Sequence, residues 1–563
     1  MKFIISKLFC YLITPLLIIY SLSGCSEKDA HNPDNSDSPR IINIINFIRQ
    51  TDYRMENSDN LMFDAVQKQI NLSNKYNFPT TFLFQYDALI NPKYQELMKT
   101  KLNPESEIGA WWEITQPHVE AAGMKWRGEH SWVSTANIAF TPGYTQPERE
   151  KLVDVYMEKF KEIYGKYPKS VGSWFIDSHT LQYMYEKYGI VASCNCKDQV
   201  GTDGYTLWGG YWNQAYYPSK KNAYMPAQTK SSQIPVPVFR MLGSDPMYQY
   251  DAGVGTNYQG VISLEPVYHN AGKNKKWVEY FLESIVNEPC LAFNYAQAGQ
   301  ENSFTWSGMG EGLEMQFPIF DSLRTAGKIK VETLEQSGKW FKEKFPVTPA
   351  TAITTLTDIR NEGNKSVWYN SRYYRANLYW EKEGFCFRDI HLFDENFQSE
   401  YLHTPGTGNQ FFYYTLPVID RFYWSTPENK TGLRFINIDD NGNKSEIILA
   451  NPLLTEPSAS TLKIESADKK GRKYIIELNE GNITISSDNS DSKWMLELKV
   501  PEDRLDRLPF LSFEKSKIDA EFRGYKYEIK CQEGTIEKGS NSDYVFRFIP
   551  SSNNKLIIDC SAK

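Results

Sequence analysis

Residues 167–190, YPKSVGSWFIDSHTLQYMYEKYGI, decide the fold class. Pro168 and Lys169 break a preceding helix. Residues 170–176 carry Val, Trp, Phe and Ile, the composition of a short buried strand. Asp177 stands where that run stops, and either Asp177 or Ser178 can cap the helix that follows. Leu181, Tyr185 and Tyr188 recur at helical spacing, Gly189 ends the helix, and Val191 opens another apolar run. The stretch is a strand–helix–strand unit with a carboxylate at the carboxyl end of its first strand. Barrels of parallel strands do their chemistry at that edge. A single Asp there is more often only a helix cap, so Asp177 has to be weighed with the rest of the chain.

Outward from this unit the same alternation repeats. Strands are expected at 41–48, 80–85, 107–113, 191–194, 236–242 and 290–296, with a short one at 261–264. Helices are expected at 61–76, 91–102, 146–164, 277–287, 312–326 and 331–345. Repeated βα units mean parallel strands under helical cover. About seven principal strands suit an incomplete (β/α)7 barrel over residues 41–346. No glycine-rich phosphate loop follows the first strand, which removes a dinucleotide-binding sheet. Beyond 346–350 the runs are short and β-branched or aromatic, separated by Gly, Asn and Asp turns. Residues 347–563 are therefore expected to form an all-β, sandwich-like domain.

The first 24 residues are not expected to belong to the fold. Lys2 and Lys7 precede an apolar run, and Leu22-Ser23-Gly24-Cys25 follows, the pattern of a bacterial lipoprotein signal cleaved before Cys25. A lipid on Cys25 would anchor the chain. Ser26 after the cysteine points to the outer membrane, with the protein periplasmic or surface-exposed. Residues 25–40 are polar and acidic, as in a disordered tether. A net charge of −7 with no basic cluster argues against a nucleic-acid partner. Mean hydropathy is −0.53, as expected of a soluble body on such an anchor. The 36 Tyr and 14 Trp suit either stacking on sugar rings or a large β-rich core, and composition does not choose between them. Cys194 and Cys196 lack zinc spacing, and Cys531 and Cys560 are the one candidate disulfide.

Four further carboxylates fall at or just past predicted strand ends: Glu113, Asp245, Glu265 and Glu301. In a barrel, Asp177 and these four converge on one mouth. Crowded carboxyl groups raise one another's pKa, so one stays protonated while another is ionised, and glycoside hydrolysis needs that pair. Asp177 is the candidate nucleophile or base, with Glu301 and then Asp245 as candidate general acids. Glu113, Glu265, Arg127 and His130 are candidates for holding the substrate. An aromatic loop at 205–217 offers Trp208 and Trp212 as a stacking wall, or else as a plug against the second domain.

Three places carry a family resemblance: PTTFLFQYDAL at 79–89 with Glu107-Ile108-Gly109, VGSWFIDSHTLQYMYEKYGI, and FNYAQAGQENSFTW at 293–306. Region 41–345 resembles the glycoside hydrolase/deacetylase superfamily, which implies a seven-stranded (β/α) barrel. The second stretch resembles the fourth-strand motif of glycoside hydrolase family 57, but with Asp177 in place of Glu and Ile176 in place of Pro. The whole chain is similar to uncharacterised lipoproteins of gut Bacteroidetes. Deacetylation in this superfamily implies a metal held by an early Asp pair and two His residues. Here Arg49 ends the first strand with Asp52 alone nearby, so no metal or other cofactor is expected. Nor is a zinc-binding His-x-Asp of the family 38 type visible early in the chain. The resulting expectation is an anchored glycosidase acting on a complex glycan, without a specific protein partner. The alternatives are a non-catalytic glycan-binding lipoprotein and, behind it, a deacetylase.

Overall fold

The computed structural model describes residues 38–382, 384–439, 441–488, 493–540 and 543–561. The leader, Cys25 and nearly all of the tether lie outside them. Seven parallel strands form one sheet, in the spatial order Asn294–Ala298, Arg40–Ile48, Thr81–Phe84, Glu107–Trp111, Ser170–Gly172, Ala192–Asn195 and Val238–Arg240. We number them one to seven along the chain, so the seventh (Asn294–Ala298) lies beside the first. Ala215–Tyr216 adds an antiparallel edge on the sixth, and Lys330–Glu332 pairs with the first. The sheet is nearly closed and barrel-like. The expected strand at 261–264 is not formed; that segment makes a single bridge, Ser244 to Ser263.

The first strand, RIINIINFI, shows why the sheet curls. Its side chains alternate between two apolar environments. Ile41, Ile45 and Phe47 point inward with Leu83, Trp111, Phe239 and Tyr295. Ile42 and Ile44 point outward under Leu313 and Phe317 of the helix Thr305–Thr325. Inside, space is limiting: a Cβ on Gly172 would lie 2.5 Å from Leu83 and 2.7 Å from the Cys194 sulfur.

After residue 350 the chain is all β apart from short helical turns. A ten-stranded and an eight-stranded sheet follow, both antiparallel. Val367, Phe387, Phe435 and Leu496 of one sheet share a single core with Leu462, Ile476, Ile483 and Leu556 of the other. A small sheet joins this part to the barrel, where Tyr205–Trp208 pairs in parallel with Phe411–Tyr414. The six cysteines among the described residues are free and buried, so Cys531 and Cys560 do not pair. No helix among the described residues is long and apolar enough to cross a membrane.

Candidate active site

The fourth strand is shorter than its sequence suggests, and this decides the site. It stops at Gly172 rather than 176. Ser173 turns the chain by donating to the carbonyls of Trp112 and Phe175, both at 2.8 Å. Trp174, not Asp177, thereby reaches the barrel mouth. Asp177 lies beyond the turn as the N-cap of helix Ser178–Tyr188. Its carboxylate accepts from Thr180 N at 3.0 Å, Thr180 Oγ1 at 2.6 Å, Thr141 Oγ1 at 2.7 Å and Arg149 Nη1 at 2.9 Å. Burial pushes its pKa up, but Arg149 and these donors outweigh that and hold it below the usual carboxylate range. Asp177 does not line the mouth cavity, so the expectation of a nucleophile there gives way to a cap and a buried ion pair.

Asp245 is likewise turned into the structure. It accepts from Met247 N, Tyr248 N and Trp277 Nε1, each at 2.8 Å, and lies outside the cavity. The three other carboxylates do converge. Glu113, Glu265 and Glu301 line one cavity of about 470 Å³, with Trp174, Phe140, Tyr258, Tyr268 and Phe304 among its walls.

Arg49, directly after the first strand, organises this cavity. Its Nε and Nη2 donate to the two oxygens of Glu113 at 2.9 and 2.7 Å. Its Nη1 stands 2.8 Å from Glu301 Oε2. Trp132 covers the guanidinium, 4.4 Å from ring centre to Cζ. Glu113 also accepts from Gln85 Nε2 at 2.5 Å and Trp174 Nε1 at 2.7 Å. Four donors from three strand ends leave Glu113 little capacity for chemistry and make it the anchor of Arg49.

Glu301 is freer. Its contact with Arg49 is a close ion pair without hydrogen-bond alignment, and Oε2 is otherwise unpartnered. Burial pushes its pKa up, opposed by Arg49 and reinforced by Glu113. Glu265 accepts from Ser263 Oγ at 2.7 Å and Gln300 Nε2 at 3.3 Å. Its pKa is also raised by burial, against the pull of Lys197. Gln300 ties the two together, because its side-chain Oε1 accepts from Glu301 N at 2.9 Å.

The remaining predicted binding residues lie elsewhere. His130 is exposed and stacks on Tyr53 with ring centres 4.2 Å apart. Arg127 donates to the carbonyls of Asn137 at 2.7 Å and Gly143 at 3.1 Å. Trp208 donates to Asp420 at 2.9 Å, and Trp212 stacks on Trp368 at 3.8 Å. The aromatic loop is thus the plug between barrel and β sheets, not a stacking wall. Arg49, Gln85, Trp174 and Gln300 were not singled out from sequence as parts of the site. Only Arg49 left a signal, as a cation immediately after an apolar strand.

The residues present do not suit the metal that deacetylation on such a fold implies. Arg49 occupies the end of the first strand. His118 is buried and stacked on Tyr86, with Nε2 2.8 Å from the Leu152 carbonyl, and burial pulls its pKa down to about 4. Among the described residues no group of three or more His, Cys, Asp and Glu side chains is placed to hold a metal ion. A larger groove of about 1670 Å³ runs along the seam with the β sheets. Its central arginines, Arg421 and Arg434, are already paired with Glu381.

No family model and no curated protein matches the sequence. Several solved structures share its outline. A protein from Parabacteroides distasonis, provisionally assigned as a glycoside hydrolase/deacetylase, is 13% identical over 67% of this chain and 91% of its own, with a TM-score of 0.49. Provisionally assigned polysaccharide deacetylases from Mycobacterium smegmatis and Pseudomonas aeruginosa are 12% and 13% identical. They cover 55% and 57% of this chain and 94% and 96% of their own, each with a TM-score of 0.35. At these scores the likeness is one of outline only.

Proposed function

We propose that the chain is a glycan-acting hydrolase with Glu301 as its general acid. One observation carries the reading. Two carboxyl groups with pKa values raised by burial, Glu301 and Glu265, line one aromatic-walled cavity at the strand ends of a nearly closed parallel sheet. A raised pKa lets a carboxyl hold its proton to higher pH, the direction that donation to a leaving glycosidic oxygen requires. Glu265 is the second carboxyl of the pair. Arg49, Glu113 and Gln300 are positioning residues. The reading includes an incomplete (β/α)7 barrel followed by a β-sandwich. It also includes anchoring at the outer membrane through Cys25, which the sequence pattern alone supports.

The test is release of new reducing ends from a panel of host and plant glycans, with acetate assayed in parallel. Glu301→Gln removes the transferable proton and keeps the shape. Cleavage is expected to fall about 10²- to 10⁴-fold, the usual contribution of general acid catalysis. A fully active Glu301→Gln protein, or acetate as the sole product, sinks the reading.

A further inference from the structure

We propose that the face around the mouth is a platform for an extended, neutral glycan chain, longer than the cavity itself. This rests on the glycan-acting reading above and names its substrate class. Two observations carry it. The first is where apolar surface is left exposed. Before residue 346 the described residues include five exposed large hydrophobic side chains: Tyr53, Leu61, Ile90, Tyr258 and Phe304. Two of them, Tyr258 and Phe304, line the cavity, and Tyr53 stands between Asp52 and Arg54, which line it too. Scattered single exposed hydrophobics need no explanation, whereas three aromatic ones gathered at one cavity do.

Three of the five are aromatic. Tyr258 is 57% exposed and Phe304 38% exposed, and both line the cavity rim. Phe304 is three residues from Glu301. Tyr53, 45% exposed, is layered on the imidazole of His130 beside Asp52 and Arg54 of the rim. Aromatic faces left wet around a polar cavity suit a ligand that is polar at its edges and apolar on its C–H faces, as a sugar ring is. Rings on separate loops serve successive sugar units and have no use for a monosaccharide seated in the cavity.

The second observation is charge. The cavity lining carries five carboxyl groups, on Asp52, Glu113, Asp203, Glu265 and Glu301, against the two guanidinium groups of Arg49 and Arg54. Both arginines are already taken, Arg49 by Glu113 and Glu301, and Arg54 by Asp52 at 2.5 Å. Among the lining residues uronate or sulfate groups would find no unpaired cation, since the carboxylates of the cavity already hold both guanidinium groups. The lining selects an uncharged chain.

The test is native affinity electrophoresis of Glu301→Gln protein. One set of gels holds arabinoxylan, mixed-linkage β-glucan, galactomannan or yeast α-mannan, and another holds homogalacturonan or chondroitin sulfate. Retardation is expected in at least one neutral gel and in neither anionic gel. Adding Tyr258→Ala and Phe304→Ala should weaken it about fivefold per ring. Both side chains are exposed, and Leu511→Ala, on the β sheets, is the control for a trivial surface effect. No retardation in any gel, retardation only by the anionic polymers, or equal retardation after both ring deletions overturns the proposal. A chain that is bound by wild-type protein and never cut removes the hydrolase and leaves the platform. Cleavage of short oligosaccharides by protein that no gel retards does the reverse.

Discussion

Asp177 and Glu301 are both buried carboxyl groups near strand ends, yet their surroundings send them to different work. Asp177 has four donors, one of them Arg149 in a full ion pair. Glu301 has one ill-aligned cation and an open cavity. Asp177→Asn strips the charge from a fully buried partner, Arg149, at an expected cost of about 3–5 kcal/mol. Because the folded-state pKa of Asp177 is depressed, its contribution is present above the unfolded value and is lost as pH falls through the folded one. Urea unfolding at pH 7 and at low pH should therefore show a gap between wild type and Asp177→Asn that closes in acid. A constant gap would mean that only packing was lost. Sequence could not separate the two residues, because both read as acids after an apolar run. The difference lay in whether the strand continued to 176 or stopped at Gly172, and Trp and Phe at 174 and 175 are equally at home in a strand or a turn.

At the scale of elements, the strands and long helices were legible because their apolar spacing is strong, as in the first strand and in helix Gln146–Tyr164. The short strand expected at 261–264 was not, since four residues cannot by themselves distinguish an extended bridge from a paired strand. Another acid emerges at this scale. Glu107 opens the third strand at the opposite end of the sheet from the cavity, and accepts from Glu335 N at 2.9 Å at the start of helix Leu334–Lys344. Burial pushes its pKa from 4.5 up to about 7. Here the folded state holds a proton that the unfolded chain releases. The stability it contributes is full below pH 4.5 and is lost as pH rises through about 7. Glu107→Gln should remove up to about 3 kcal/mol of that decline. Thermal unfolding of the variant should be flatter than wild type between pH 5 and 8, and parallel profiles would count against a buried, protonated Glu107.

For the whole molecule, the seam between barrel and β sheets is the part that sequence could not supply. Arg375 of the ten-stranded sheet bonds Asp198 from the barrel side and Asp389 of its own sheet, and all three are fully buried. Nothing in local spacing pairs residues so far apart. The same holds for the hairpin over the mouth, Gln199–Thr202 with Tyr205–Trp208, whose second strand finds its other partner only at Phe411–Tyr414. That pairing gives the molecule an order in time. Contacts this distant in the chain must wait for costly loop closure, so they come late in folding. The first six barrel strands follow one another in the chain and can gather early, while closure by the seventh comes later and the roof of the mouth is finished only when the β sheets arrive. On dilution from denaturant, far-UV ellipticity should return ahead of the near-UV signal of the Trp212–Trp368 stack, and coincident recovery would refute that order. A nascent chain released before residue 411 would carry every acid of the cavity and still lack the strand that holds its roof in place.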